Sequence, residues 1–160
     1  MKRFICLLAL VWGMMACNSE PQSSLSELNL LEYGLPITVQ APDSAKVKKV
    51  DMGSIMKDVT IKFGEDYSIQ LYASQATTND IAKLKAEKLS DIKMNPFFSK
   101  IVREEESGFI FETIIDSTTI NYGFNYAHVQ GDMEYIFSTG LIGTFTLEEV
   151  EKMYEAVKQN

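Results

Sequence analysis

The stretch 106–142, ESGFIFETIIDSTTINYGFNYAHVQGDMEYIFSTGLI, is where the fold is decided. Phe109, Ile110, Phe111, Ile114 and Ile115 crowd its first run, which follows Glu106-Ser107-Gly108. Ile120, Tyr122, Phe124, Tyr126 and His128 share one face of the second run. Met133, Tyr135, Phe137 and Leu141 share one face of the third, across Gln130-Gly131-Asp132. Period-two alternation with turn residues at each join predicts antiparallel strands in a meander. In the first and third runs apolar residues stand on both faces, Ile110 and Ile114 against Phe109 and Phe111, and Ile136 against Tyr135 and Phe137. Such strands need cover on both sides. An earlier run with Ile101 and Val102 makes four strands between Phe97 and Ile142.

Outward from this core, the C-terminal segment supplies one cover. Thr146-Leu147-Glu148-Glu149 is a capping box with acids in the first turn, and Leu147, Val150, Met153, Tyr154 and Val157 follow at helical spacing, predicting a helix to Lys158. On the N-terminal side, Thr77-Thr78-Asn79-Asp80 caps an amphipathic helix carrying Ile81, Leu84, Leu89 and Ile92. That helix ends before Asn95-Pro96. Before it, Val59, Ile61 and Phe63 alternate with Thr60 and Lys62, and Ile69 and Leu71 alternate with Ser68, Gln70 and Tyr72, predicting a hairpin about Gly64-Glu65-Asp66. Asp51–Lys57 reads as a loop containing Gly53. Ile37–Ala41 reads as the first strand, entered through Gly34-Leu35-Pro36 and closed by Pro42-Asp43. Leu28–Tyr33 reads as a short helical turn or an extended lead-in. The expected class is α+β, an antiparallel sheet of about six to seven strands flanked by helices, with a C-terminal helix.

Length and composition agree with a single domain. The chain has 160 residues, 46% hydrophobic and 23% charged, with 4 Pro and 9 Gly. Its formal charge is −7, and Lys2 and Arg3 lie in the first few residues, so removing that segment takes the balance to −9. A surface this acidic gives phosphate backbones nothing to bind, and nucleic acid is excluded as an expected partner.

Lys2 and Arg3 precede an apolar run from Phe4 to Met15, then Ala16 and Cys17, the pattern of an export signal. The run is well short of the roughly 20 residues a spanning helix needs. Met14-Met15-Ala16-Cys17 resembles the bacterial lipobox, which implies cleavage before Cys17 and acylation of its thiol; the alternative is plain secretion with a free Cys17. Several acyl chains on one residue make a stable membrane anchor. Asn18, where an Asp would imply retention at the inner membrane, favours the outer membrane, on its periplasmic or surface face. The polar, Ser-rich Asn18–Glu27 with Pro21 reads as a leash. The expected organisation is therefore a signal peptide over 1–16, a lipidated flexible tether over 17–32 and a folded domain over 33–160. With Cys6 in the leader and Cys17 acylated, no thiol remains for a disulfide, a metal or nucleophilic catalysis.

The order of elements, a Gly34-x-Pro36 entry to the first strand, a hairpin, a helix, a meander with Gly131 and Tyr135, and a closing helix approached through Phe145-Thr146, resembles the PsbP-like fold. That α/β/α sandwich is shared by an extrinsic photosystem subunit, a Ran-binding import factor and small bacterial lipoproteins. The resemblance covers about Tyr33 to Gln159. It implies a domain that binds or assists another protein, here an envelope protein, and no enzymatic activity.

The inventory of reactive residues points the same way. His128 is the lone histidine, and no Ser or Cys motif accompanies it to make a general base useful. Glu104-Glu105-Glu106 lacks the alternating oxygen spacing of a calcium loop and reads as a solvated turn, and Asp116-Ser117-Thr118-Thr119 reads as a turn closed by local hydrogen bonds. No metal and no cofactor is expected. Tyr72, Tyr122, Tyr126 and Tyr135, with Phe124 and Phe137, form the one group that suggests a ligand or partner surface, because tyrosine joins a flat apolar body to a polar tip. Two readings of this set stand: a groove for a peptide or apolar ligand, or core and cross-strand pairs beneath the helices. The groove reading carries the alternative function, a carrier or sensor holding a small apolar molecule between sheet and helix.

Overall fold

The computed structural model describes residues 24–53 and 56–159. The signal peptide, Cys17 and the first part of the tether lie outside the described residues. Two antiparallel strands, β1 (Leu25–Asn29) and β2 (Thr38–Pro42), form a small sheet of their own, with Leu25 opposite Pro42 and Asn29 opposite Thr38. A 3-10 turn over Leu31–Tyr33 joins them, ending at Gly34, whose φ of 79° suits a residue with no Cβ. Seven strands make the main sheet: β3 (Lys46–Met52), β4 (Met56–Phe63), β5 (Tyr67–Gln75), β6 (Phe98–Glu104), β7 (Gly108–Ile114), β8 (Ile120–Gln130) and β9 (Met133–Thr139). Helix α1 (Ile81–Lys93) lies between β5 and β6, and α2 (Leu147–Ala156) closes the chain. Every pairing is antiparallel, in the order β3-β4-β5-β9-β8-β7-β6.

The α+β class, the hairpin, the meander and both helices appear where the alternation and capping signals place them. The register explains why the patterns read clearly. Val59 sits opposite Leu71, which sits opposite Phe137, which sits opposite Tyr126, so the apolar positions of four strands line one face. On that face Val150, Met153 and Tyr154 of α2 and the following Val157 are wholly buried, and β2 adds Val39 and Ala41 beside the helix. Thr146 and Glu149 complete the capping box reciprocally. The opposite face is covered by α1 through Leu84, which packs on Ala127 and Ile136. Asp80 caps α1 by accepting from Lys83 N at 3.0 Å.

Three expectations are corrected. Strand β3 occupies Lys46–Met52, with Gly53 in the turn to β4, where a loop was expected from Asp51 on. As the edge of the sheet β3 is lysine-rich, and of its alternating residues Val47 packs on the core, so its period-two signal is faint. Packing also begins before Tyr33. Leu25–Asn29 is a strand and Leu30 is fully buried, because the backbone of this polar segment pairs with β2 while Leu25 and Leu28 turn towards the core. Finally, Ile114 ends β7 exposed, past the reach of either helix.

Candidate partner-binding surface

The four tyrosines do not converge. Tyr126 and Tyr135 are interior, at 7% and 1% exposure. The Tyr126 ring lies 6.0 Å from those of both Phe137 and Tyr154, meeting the latter edge-on, and its hydroxyl accepts from Gln159 N. Tyr122 is half-buried near the start of β8 and donates to Glu112 Oε2 at 3.1 Å. Glu112 also takes Ser99 Oγ at 2.8 Å and faces Lys100 Nζ at 3.3 Å. The Ser99 hydrogen bond, with Lys100 and Tyr122 adding to it against the cost of burial, holds this carboxyl below its ordinary range. Tyr72 stands on the other face of the sheet, since it pairs with Ile136 while Tyr135 pairs with His128.

Tyr72 belongs to a broad part of the sheet that no helix among the described residues covers. Side chains of β3, β4 and β5 on the α1 side form it: Lys48 and Val50, then Asp58 and Thr60, then Gln70 and Tyr72. Val50 is 44% exposed, and Asp58, Thr60 and Tyr72 are half-buried. Gln70, between them, is buried and donates from Nε2 to both carboxylate oxygens of Asp58 at 3.1 Å. Its Oε1 is the buried side-chain polar atom left without a partner among the described residues, an omission that costs about 1–3 kcal/mol. Burial, and then the Asp58 charge, push the Tyr72 hydroxyl above its ordinary range, so it stays a neutral donor. The alternation of β4 and β5 shows these polar positions in the sequence. Only the register makes neighbours of Asp58, Gln70 and Tyr72.

The acidic run 104–106 proves to be a fastening. Glu105 accepts from Arg103 and from the Tyr154 hydroxyl, and meets Lys158 Nζ at 2.9 Å. Glu155 binds Arg103 at 2.8 Å and Lys158 at 2.9 Å, and both cations lie over the Tyr154 ring. The two cations balance the two carboxylates and tie α2 to the β6–β7 hairpin. Lys158 first, then Arg103, hold Glu105 below its ordinary range, while burial and Glu105 push the Tyr154 hydroxyl up. Glu104 instead pairs with Lys85 of α1 at 3.1 Å. The expected solvated turn thus applies to Glu106, which is exposed.

Asp116 accepts from the backbone and hydroxyl groups of Thr118 and Thr119, the closed turn its sequence indicated. His128 lies 6.1 Å from the Tyr135 ring, and burial lowers its pKa. Among the described residues no three His, Cys, Asp or Glu side chains are grouped to hold a metal ion. A polar depression of about 210 Å³ is lined by Gln75–Asn79 and Asp132, smaller than the roughly 300–1,000 Å³ of small-molecule sites. The open β3–β5 face carries a donor, an acceptor and an apolar side chain on a platform of paired strands. No protein-family model matches this chain, and no curated protein or solved structure was found to be similar to it.

Proposed function

We propose that this protein is a bacterial envelope lipoprotein, anchored through acylated Cys17, whose domain binds or assists a neighbouring envelope protein through the open face of β3–β5. The observation that carries the reading is the uncovered β3–β5 part of the sheet, with Tyr72 on its inner strand. There an antiparallel surface presents Val50, Tyr72 and Asp58, the last held by buried Gln70, with no helix of the described residues over it. Tyrosine beside a small apolar and a paired polar group is the composition of an interface core. The Met14–Cys17 sequence supplies the anchor, Asn18 favours the outer membrane, and the order of elements supports kinship with PsbP-like domains. No helix among the described residues is long and apolar enough to cross a membrane. The role is binding, without catalysis.

A photo-crosslinking residue placed at Tyr72 in the membrane-bound protein tests this. The expected result is a discrete crosslinked product that is absent when the same residue replaces Leu31, an exposed position at the other end of the small sheet. Equal labelling from both positions, or no product from Tyr72 in repeated trials, refutes the surface.

A further inference from the structure

The exposed large hydrophobic side chains of the described residues gather at one end of the sheet; Leu31, Val50 and Met56 are the exceptions. Leu141 and Ile142, each 83% exposed, form the loop that leaves β9. Beside them Ile114 and Ile120 are paired across β7 and β8, and Ile115 follows Ile114 into the turn. Phe97 O accepts from Ile114 N, which brings exposed Phe97 to the same end, with Met94 at the end of α1. Phe63, the last residue of β4, stands there too, because Phe63 pairs with Tyr67 and Ile69 pairs with Thr139. Isolated exposed apolar residues need no explanation, but a contiguous group marks an interaction site.

The chain enters the fold at that same end. Leu25 pairs with Pro42, Ala45 N closes a tight turn on Pro42 O, and Lys46 pairs with Lys62 beside Phe63. The stretch from Cys17 to Ser24 spans at most ~25 Å at full extension, less than the ~29 Å between the outer strands of a seven-stranded sheet at ~4.8 Å spacing. An anchor at Cys17 is therefore joined to the fold at this end. Charges here are mixed, Lys46 and Lys62 against Glu65 and Asp66, so attraction to anionic headgroups is not what the end offers.

We propose that this apolar end seats in the interfacial layer of the membrane, with Leu141 and Ile142 inserted, as a second membrane contact of the folded domain. This contact rests on the anchor reading above and goes beyond it. The strands then stand upright on the bilayer, and the open β3–β5 face is presented sideways to proteins in the same membrane.

The test uses the full chain, acylated in a bacterial host and reconstituted into phosphatidylcholine vesicles containing bromine-labelled lipid, which quenches tryptophan at acyl depth. Ile142→Trp is expected to be quenched, and Met56→Trp, at the far end of β4, is not. High salt is expected to leave the difference unchanged. Adding Leu141→Asp to Ile142→Trp is expected to shift the inserted-to-withdrawn ratio by at least about tenfold, the factor carried by one buried leucine side chain. An unquenched Ile142→Trp, equal quenching at both positions, or quenching that salt abolishes overturns the proposal. So does a dimer dissolved by Leu141→Asp in the absence of quenching, since a second copy then covers this end. The mass of residue 17 reports the anchor separately. A bare thiol with quenching intact sinks the anchor reading and leaves the apolar contact standing; an acylated Cys17 with no quenching sinks the contact alone.

Discussion

Gly123→Ala isolates a single packing decision in the sheet. Gly123 of β8 lies directly opposite Phe111 of β7, and a Cβ built at Gly123 comes within 2.5 Å of Phe111 Cζ and 3.0 Å of Cε2. The ring lies over the glycine backbone because nothing projects there, and it is itself held by Phe109, with ring centroids 6.0 Å apart. Two effects oppose each other. Replacing glycine in a strand by alanine saves about 0.5–1 kcal/mol of backbone entropy, while forcing a packed ring aside costs about 1–3 kcal/mol. Steric cost wins, because Phe111 is 9% exposed and has little room to move. The expected outcome is a net destabilisation of about 1–2 kcal/mol, read in urea as a lower midpoint with an unchanged slope. Phe111→Leu alone also destabilises, and the double variant is expected to be less destabilised than the sum of the two singles by about 1 kcal/mol. A Gly123→Ala protein as stable as the parent, or a double-mutant cycle that is additive, refutes the reasoning.

Other outcomes follow from the same geometry. Thr146→Ala removes the capping box of α2 and is expected to cost about 1 kcal/mol in urea denaturation, with Thr146→Ser restoring most of it. The Glu105 carboxyl is held below its ordinary value of 4.5 by Lys158 and Arg103, so the stability it contributes is present above 4.5 and is lost as pH falls through the lower folded value. Melting temperature is therefore expected to fall more steeply on acidification in the parent than in Glu105→Gln, and parallel profiles would deny the fastening a role. Glu105 and its partners are about a third exposed, so that effect is small and screened by salt. Cys17→Ser is expected to abolish incorporation of an alkynyl fatty acid, and labelling that persists would place the anchor elsewhere. Trp12 is the chain's only tryptophan, so the processed protein is expected to emit as tyrosine.

How much was legible depended on whether a signal was local. The capping box at Thr146, the cap at Asp80, the Asp116 turn and the alternation of Val59–Phe63 and Ile69–Tyr72 all involve residues within a few positions of each other, and each appears in the structure. Strand β3 was missed because at the sheet edge its core side carries Val47 but then exposed Lys49, while Val50 stands on the open side, so the apolar alternation is broken. Strand β1 was missed because its stabilisation is backbone pairing with β2, which leaves little trace in side-chain type. The tyrosines looked like a group because they recur on neighbouring strands. Strand pairing sends Tyr72 to one face and Tyr122, Tyr126 and Tyr135 to the other.

The order of residues alone was enough for the α+β class, the antiparallel meander and the two capped helices, because hydrophobic period and cap chemistry act within a single element. Which residues meet was left to long-range register. It sets Asp58 beside Gln70 and Tyr72, Leu71 opposite Phe137, and Ile114 opposite Ile120. Such neighbours are made by pairing strands distant along the chain, and a one-residue slip in that pairing would send every one of them to the opposite face.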